Sequence, residues 1–168
     1  MDIAEQLSAE LSRRNTDYVA NYIGNDPELF KQLMNLIFEG KSPLPLRAAW
    51  VVSAVTDKYP ELFNPYLKQV VDRIETFEHP GIRRNLLRYL SGIELPEEYQ
   101  GKLFDVCYQY LLSRHEPPAI KVHAMQILAN IADYQPDLKH ELKLIIEELI
   151  THESAAIRSR SKQLIKKL

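Results

Sequence analysis

Three inter-repeat turns of the chain set a histidine beside a glutamate: Glu78-His79, His115-Glu116 and His152-Glu153. Imidazole and carboxylate are both good ligands for a divalent transition metal. The histidines, however, are spaced 36 and then 37 residues apart. They recur with a period, as rungs of a ladder. Packed helices stand roughly 10 Å apart, whereas zinc ligands sit about 2 Å from the ion. Two rungs cannot share one ion, so each pair reads as polar turn residues. His123 and His140 have no HExxH-type context, and they read as surface or packing residues. Cys107 lies between Val106 and Tyr108, with no adjacent base and no helix N-terminus to lower its pKa. It reads as a small buried apolar residue. No glycine-rich phosphate loop, GxSxG or CxxC is present, so no catalytic, cofactor-binding or metal-binding residue is expected.

The remaining chemistry is that of binding. Arg158, Arg160, Lys162, Lys166 and Lys167 crowd the last sixteen residues against a single acid, Glu153. The first forty residues hold seven acids and three bases. The basic end reads as a solvated face, since bases also suit a helix C-terminus; the sharper alternative is an anion or nucleic-acid patch. Aromatic residues cluster at Tyr99, Phe104, Tyr108 and Tyr110. The single tryptophan, Trp50, falls at a position expected to face the core.

These residues are placed by a repeat. Leu46, Ile82, Ile120 and Ile157 stand 36, 38 and 37 residues apart, and each is followed by a base: Arg47, Arg83, Lys121 and Arg158. Trp50, Leu86, Ala124 and Ser161 follow four positions later, and Ala54, Leu90, Leu128 and Ile165 eight positions later. Offsets of 0, 4 and 8 share one face of a helix. These segments are the A helices. A proline-led segment follows or precedes each: PELF at 27–30 and 60–63, LPEEY at 95–99 and QPDLK at 135–139. Proline suits a first turn because its missing N–H would lack a partner there anyway, and the following acid complements the helix dipole. These are the B helices. The spans expected are a short helix over 1–12 with Ile3, Leu7 and Leu11 on one side, a second helix capped by Asn15 or Thr16 and ending near Gly24, and a B helix at 27–38. Hairpins follow at 44–58 with 61–77, 80–92 with 96–113, and 118–134 with 136–151, and Ser154 caps a last helix at 154–168.

A hairpin recurring every 37 residues or so cannot bury its apolar face alone, so stacked neighbours must bury it jointly. The proline before helix A, its aliphatic–basic pair and the acid between helices (Asp57, Glu94, Asp133) resemble a HEAT repeat. The resemblance is close over 43–168 and looser over 15–40. It implies an all-α fold: a right-handed α-α superhelix of about four helical hairpins with a terminal extra helix. Residues 1–168 would form a single domain, with 1–40 as an atypical cap, repeats at 43–77, 80–113 and 117–151, and a capping helix at 154–168. It also implies that the bases at the Arg47 position pair with the acids of the inter-helix turns, and that the B helices line the concave surface. With Leu103, Val106, Cys107 and Tyr110 inward, Tyr99, Phe104 and Tyr108 lie partly outward there, and Tyr66 of the preceding B helix joins them.

The function expected is non-catalytic: a scaffold or adaptor module binding a protein or peptide along the B-helix face. Two alternatives stand beside it. One is a nucleic-acid-binding protein related to the HEAT-like DNA alkylation repair glycosylases. The formal net charge of -2 and the lone tryptophan argue against it. The other is a regulatory subunit or homo-oligomer joined through the acidic and basic ends. No apolar run approaches the roughly 20 residues that span a bilayer. The first residues lack a basic segment and an apolar core, and one cysteine makes no intramolecular disulfide, so cytoplasmic residence is expected.

Overall fold

A computed structural model describes residues 1–150 and 154–168. His152 and Glu153, the third histidine–glutamate pair, lie outside the described residues. The described residues form ten α-helices and no strand. They are α1 Ile3–Ala9, α2 Arg13–Ile23, α3 Pro27–Glu39, α4 Leu44–Thr56, α5 Leu67–Arg73, α6 Pro80–Leu90, α7 Glu97–Leu112, α8 Pro118–Ala132, α9 Pro136–Ile150 and α10 Ala155–Ile165. The chain divides into two compact units, Met1–Tyr89 and Leu90–Leu168.

In the first unit, α3 begins because Asp26 accepts from the N–H groups of Glu28 (2.8 Å) and Leu29 (3.0 Å), with Pro27 as the first helical residue. Phe30, Leu33, Met34 and Ile37 then recur on one face and are buried. That face and α2 pack on α4, which buries Ala48, Ala49, Val51, Val52 and Val55. Alanine at 48 and 49 admits close approach of the neighbouring backbones. In the second unit α8 plays the same central part between α7, α9 and α10, burying Ile120, Met125, Ile127, Leu128 and Ile131.

Several boundaries differ from the expected ones. α1 stops at Ala9, and Leu11 is about half exposed instead of continuing the Ile3–Leu7 face. The cap of α2 is Ser12, whose hydroxyl accepts from the Asn15 N–H at 3.1 Å. Asn15 is used otherwise: buried, it accepts from Gln6 Nε2 (2.7 Å) and donates to the carbonyls of Gln6 and Glu10, tying α1 to α2. Gly24 ends α2 with φ +52°, a value that favours glycine. The expected continuous helix over 61–77 is broken into a 3-10 segment Pro60–Tyr66, then α5, then a 3-10 turn Ile74–Thr76. Pro65 lies inside the first of these. It has no N–H to donate, and its ring clashes with the carbonyl four residues back in an α-helix, so the tighter winding replaces it. Ser154 does stand at the N-cap of α10, but its hydroxyl makes no capping hydrogen bond.

The expected pairing of the recurrent bases with the turn acids is also corrected. Arg47 Nη1 donates to the carbonyls of Leu7 (2.6 Å) and Ser8 (3.0 Å), in the last turn of α1. Arg83 Nη1 donates to the Phe77 carbonyl at 3.0 Å, just past a helical segment. Helix-end carbonyls lack intrahelical donors and carry the negative end of the dipole, so they compete well for a guanidinium. The acids find other partners: Asp57 takes Arg88 (2.8 Å), Asp133 takes Lys139 (2.8 Å), and Glu94 accepts from the Tyr134 hydroxyl (3.0 Å).

The two kinds of contact should differ in worth. Arg47→Met, which keeps an apolar stem and removes the charge-assisted bonds to carbonyls, should lower unfolding free energy by about 1.5–3 kcal/mol. The exposed Asp57–Arg88 pair should contribute about 0–1 kcal/mol in a double-mutant cycle. Urea unfolding measures both. An Arg47→Met loss no larger than the Asp57–Arg88 coupling would refute the carbonyl-capping role.

Candidate interaction surfaces

The B helix of the second unit, α7, places the aromatics that sequence singles out. Leu103, Val106, Cys107, Tyr110 and Leu111 are buried along one face. Phe104 and Tyr108, four residues apart, stand at the edge of that face and are half-buried. Their rings stack at 6.1 Å between centroids, with planes 15° apart. At about 100° per residue, Tyr99 sits some 140–180° around the axis from this pair. It therefore belongs with the inward residues at the first turn and does not join the Phe104–Tyr108 patch. Tyr66 lies in the first unit, half-buried, tilted against Phe30 at 5.8 Å. Burial raises the pKa of its phenol, with a smaller push from Glu28.

Two neighbours on α7 were missed from sequence. Leu112 is 47% exposed, and it continues the stripe four residues after Tyr108. Gly101, three residues before Phe104, is bare: a Cβ built there meets nothing within 4 Å. The signal was available in both cases, because 101, 104, 108 and 112 follow helical spacing. A second exposed aromatic pair, Tyr18 and Tyr22, lies on α2, where the intervening Val19 is fully buried.

Trp50 is not a core residue. It is half-buried and lines a groove of about 280 Å³ in the first unit with Arg13, Asp57, Arg84, Asn85 and Arg88. The Arg84 guanidinium stands 5.8 Å from the centre of its ring. The indole Nε1–H is shielded from water and has no acceptor among the described residues, which costs about 1–3 kcal/mol for a buried donor. Sequence spacing hid this, because Trp50 shares its repeat position with Leu86 and Ala124, which are buried.

The second unit has a larger hollow, about 640 Å³, bordered by Glu94, Glu97, Gln100 and Tyr134. The hydrogen bond to Glu94, and then its charge, hold the Tyr134 phenol above the usual tyrosine range. Arg158 and Lys162 on α10 and Lys166 and Lys167 just past its end are exposed, whereas Arg160 is half-buried and donates to Gln126 Oε1 at 3.2 Å. Ile157, Ser161 and Leu164 form the buried side of that helix. His79 is an exposed turn residue whose Nδ1 accepts from the Gly81 N–H at 3.0 Å. His115 is exposed as well, while half-buried His123 approaches Ser91 at 3.3 Å. Among the described residues, no three His, Cys, Asp or Glu converge as a metal site.

Comparison with known families agrees with the helical hairpins: the HEAT repeat domain matches residues 3–168. The chain belongs to the HEAT repeat family. No curated protein matches the sequence. HEAT repeats are generally protein-interaction scaffold elements and typically non-catalytic. Among the described residues, no helix is long and apolar enough to cross a membrane.

The one thiol of this HEAT repeat chain suits a structural part. Cys107 has no exposed surface, and burial pushes its thiol well above the ordinary cysteine range. A thiol reagent at pH 8 should label no cysteine in the folded protein and one per chain in denaturant. Rapid labelling of the folded protein would contradict this burial.

Proposed function

We propose that the protein is a non-catalytic scaffold or adaptor that binds a protein or peptide partner through the α7 face carrying Phe104 and Tyr108. The stacked ring pair carries the proposal. Two large rings are held in fixed relation on a helix whose opposite side is locked into the core. Such rings offer contact area with little entropy left to lose. Leu112 extends the apolar stripe, and Gly101 leaves an opening beside it for a partner side chain. Tyr66, at the end of the 3-10 segment in the first unit, is a separate aromatic contact of the same kind.

Phe104→Ala and Tyr108→Ala should each weaken partner binding by about tenfold or more, the range of interface hot spots. Tyr99→Ala should weaken it less. Gly101→Gln supplies a complementary test. The change favours the helix by several tenths of a kcal/mol, because glycine is about 1 kcal/mol poorer than alanine there, yet it fills the opening. Thermal stability should stay the same or rise while binding falls. A partner recovered from lysate after nuclease treatment provides the assay. Undiminished capture by Phe104→Ala, Tyr108→Ala and Gly101→Gln would discard this face, and capture that disappears with nuclease would favour a nucleic-acid ligand.

A further inference from the structure

We propose that the groove between Trp50 and Arg84 in the first unit is a docking site for a side-chain carboxylate of an acidic protein or peptide segment. The proposal takes the source of that carboxylate from the protein-binding reading above, but it does not depend on the α7 face.

Three arginines border the groove, and they are not equivalent. Arg13 is paired with Asp17 at 3.0 Å, and Arg88 with Asp57 at 2.8 and 3.1 Å. Arg84 has no carboxylate or carbonyl partner among the described residues; its guanidinium rests over the Trp50 ring. It is also half-buried, so part of its hydration is already gone. The Asn85 amide in the groove is engaged elsewhere, donating to the Gly81 carbonyl (2.8 Å) and accepting from Ser53 (3.0 Å), and the Asp57 carboxylate is taken by Arg88. A guanidinium held over an aromatic ring with no hydrogen-bonding partner keeps its planar fork of N–H groups available, and that fork takes a carboxylate with two parallel hydrogen bonds. The Trp50 ring beneath it carries a second unmatched donor, the Nε1–H, which is shielded from water.

Charge selects the ligand class. A phosphodiester backbone is held by several unneutralised bases in a row. Here two of the three arginines are already neutralised, by Asp17 and Asp57, which leaves too few free bases to follow a phosphate backbone. One uncompensated cation suits one carboxylate.

The lone tryptophan makes the test direct. The single indole N–H resonance of the 15N-labelled full chain is followed while N-acetyl-glutamate N-methylamide is added to high millimolar concentration. Parallel titrations use the glutamine analogue, inorganic phosphate and a single-stranded oligonucleotide. The expected result is a saturable downfield shift with the glutamate compound and none with the glutamine analogue. Arg84→Gln should weaken the binding about tenfold or more, and Arg84→Lys, which keeps the charge without the planar fork, should weaken it severalfold. The lysine variant also supplies the comparison if the glutamine variant does not fold. Tyr108→Ala should leave the titration unchanged, so loss of the α7 reading would not be mistaken for loss of this one. No shift, equal shifts with both amino-acid analogues, or saturation by phosphate or oligonucleotide at lower concentration than by glutamate would each overturn the proposal.

Discussion

An amphipathic hairpin of two helices has more apolar surface than it can cover by itself, and every other feature of this protein follows from where that surface goes. α4 and α8 take most of the burden. Each is apolar over much of its circumference and is packed by helices within its own unit on more than one side. Helices so placed have few residues to spare for solvent. The polar and aromatic residues that remain accessible are left to the helices with one free side, such as α7, and to rims such as the one holding Trp50 and Arg84. Function in this fold is therefore a matter of what the core does not claim.

The order and approximate bounds of the helices were legible because they are written in repetition. Proline at the first turn, an aliphatic residue followed by a base, and offsets of four residues each have a local physical cause. Partners across space were less legible. Arg47 and Arg83 follow the aliphatic residue as the repeat requires, but both donate to main-chain carbonyls, and a carbonyl at a helix end leaves no mark in side-chain sequence. Turn acids looked like the natural partners because only they show as letters. Trp50 was misplaced for a related reason. Periodicity tells which way a residue points, but not whether the neighbour opposite is large enough to cover it.

The aromatic residues of α7 show a middle case. That some rings must face outward followed from the number of aromatics on one helix. Which of them cluster required only the angular step of a helix, and by that step Tyr99 and Tyr108 are nearly opposed. Leu112 and Gly101 belong to the same stripe although neither has the chemistry that draws attention in a sequence. Arginine has a corresponding double use: Arg73 reaches Glu39 (2.9 Å) and the Phe38 carbonyl (2.9 Å) while standing 5.1 Å over the Phe38 ring. One side chain thereby serves a charge, a helix end and an aromatic face.

The 3-10 winding at Pro60–Tyr66 and Ile74–Thr76 changes more than hydrogen bonding. A 3-10 residue advances about 2.0 Å along the axis, compared with about 1.5 Å for an α residue. The stretch from Pro60 to Thr76 is therefore about 5 Å longer than an unbroken α-helix of the same residue count. A proline at position 65 thus acts as a spacer that adds length without adding residues. The repeat keeps its period in sequence while its ruler in space is stretched at one place.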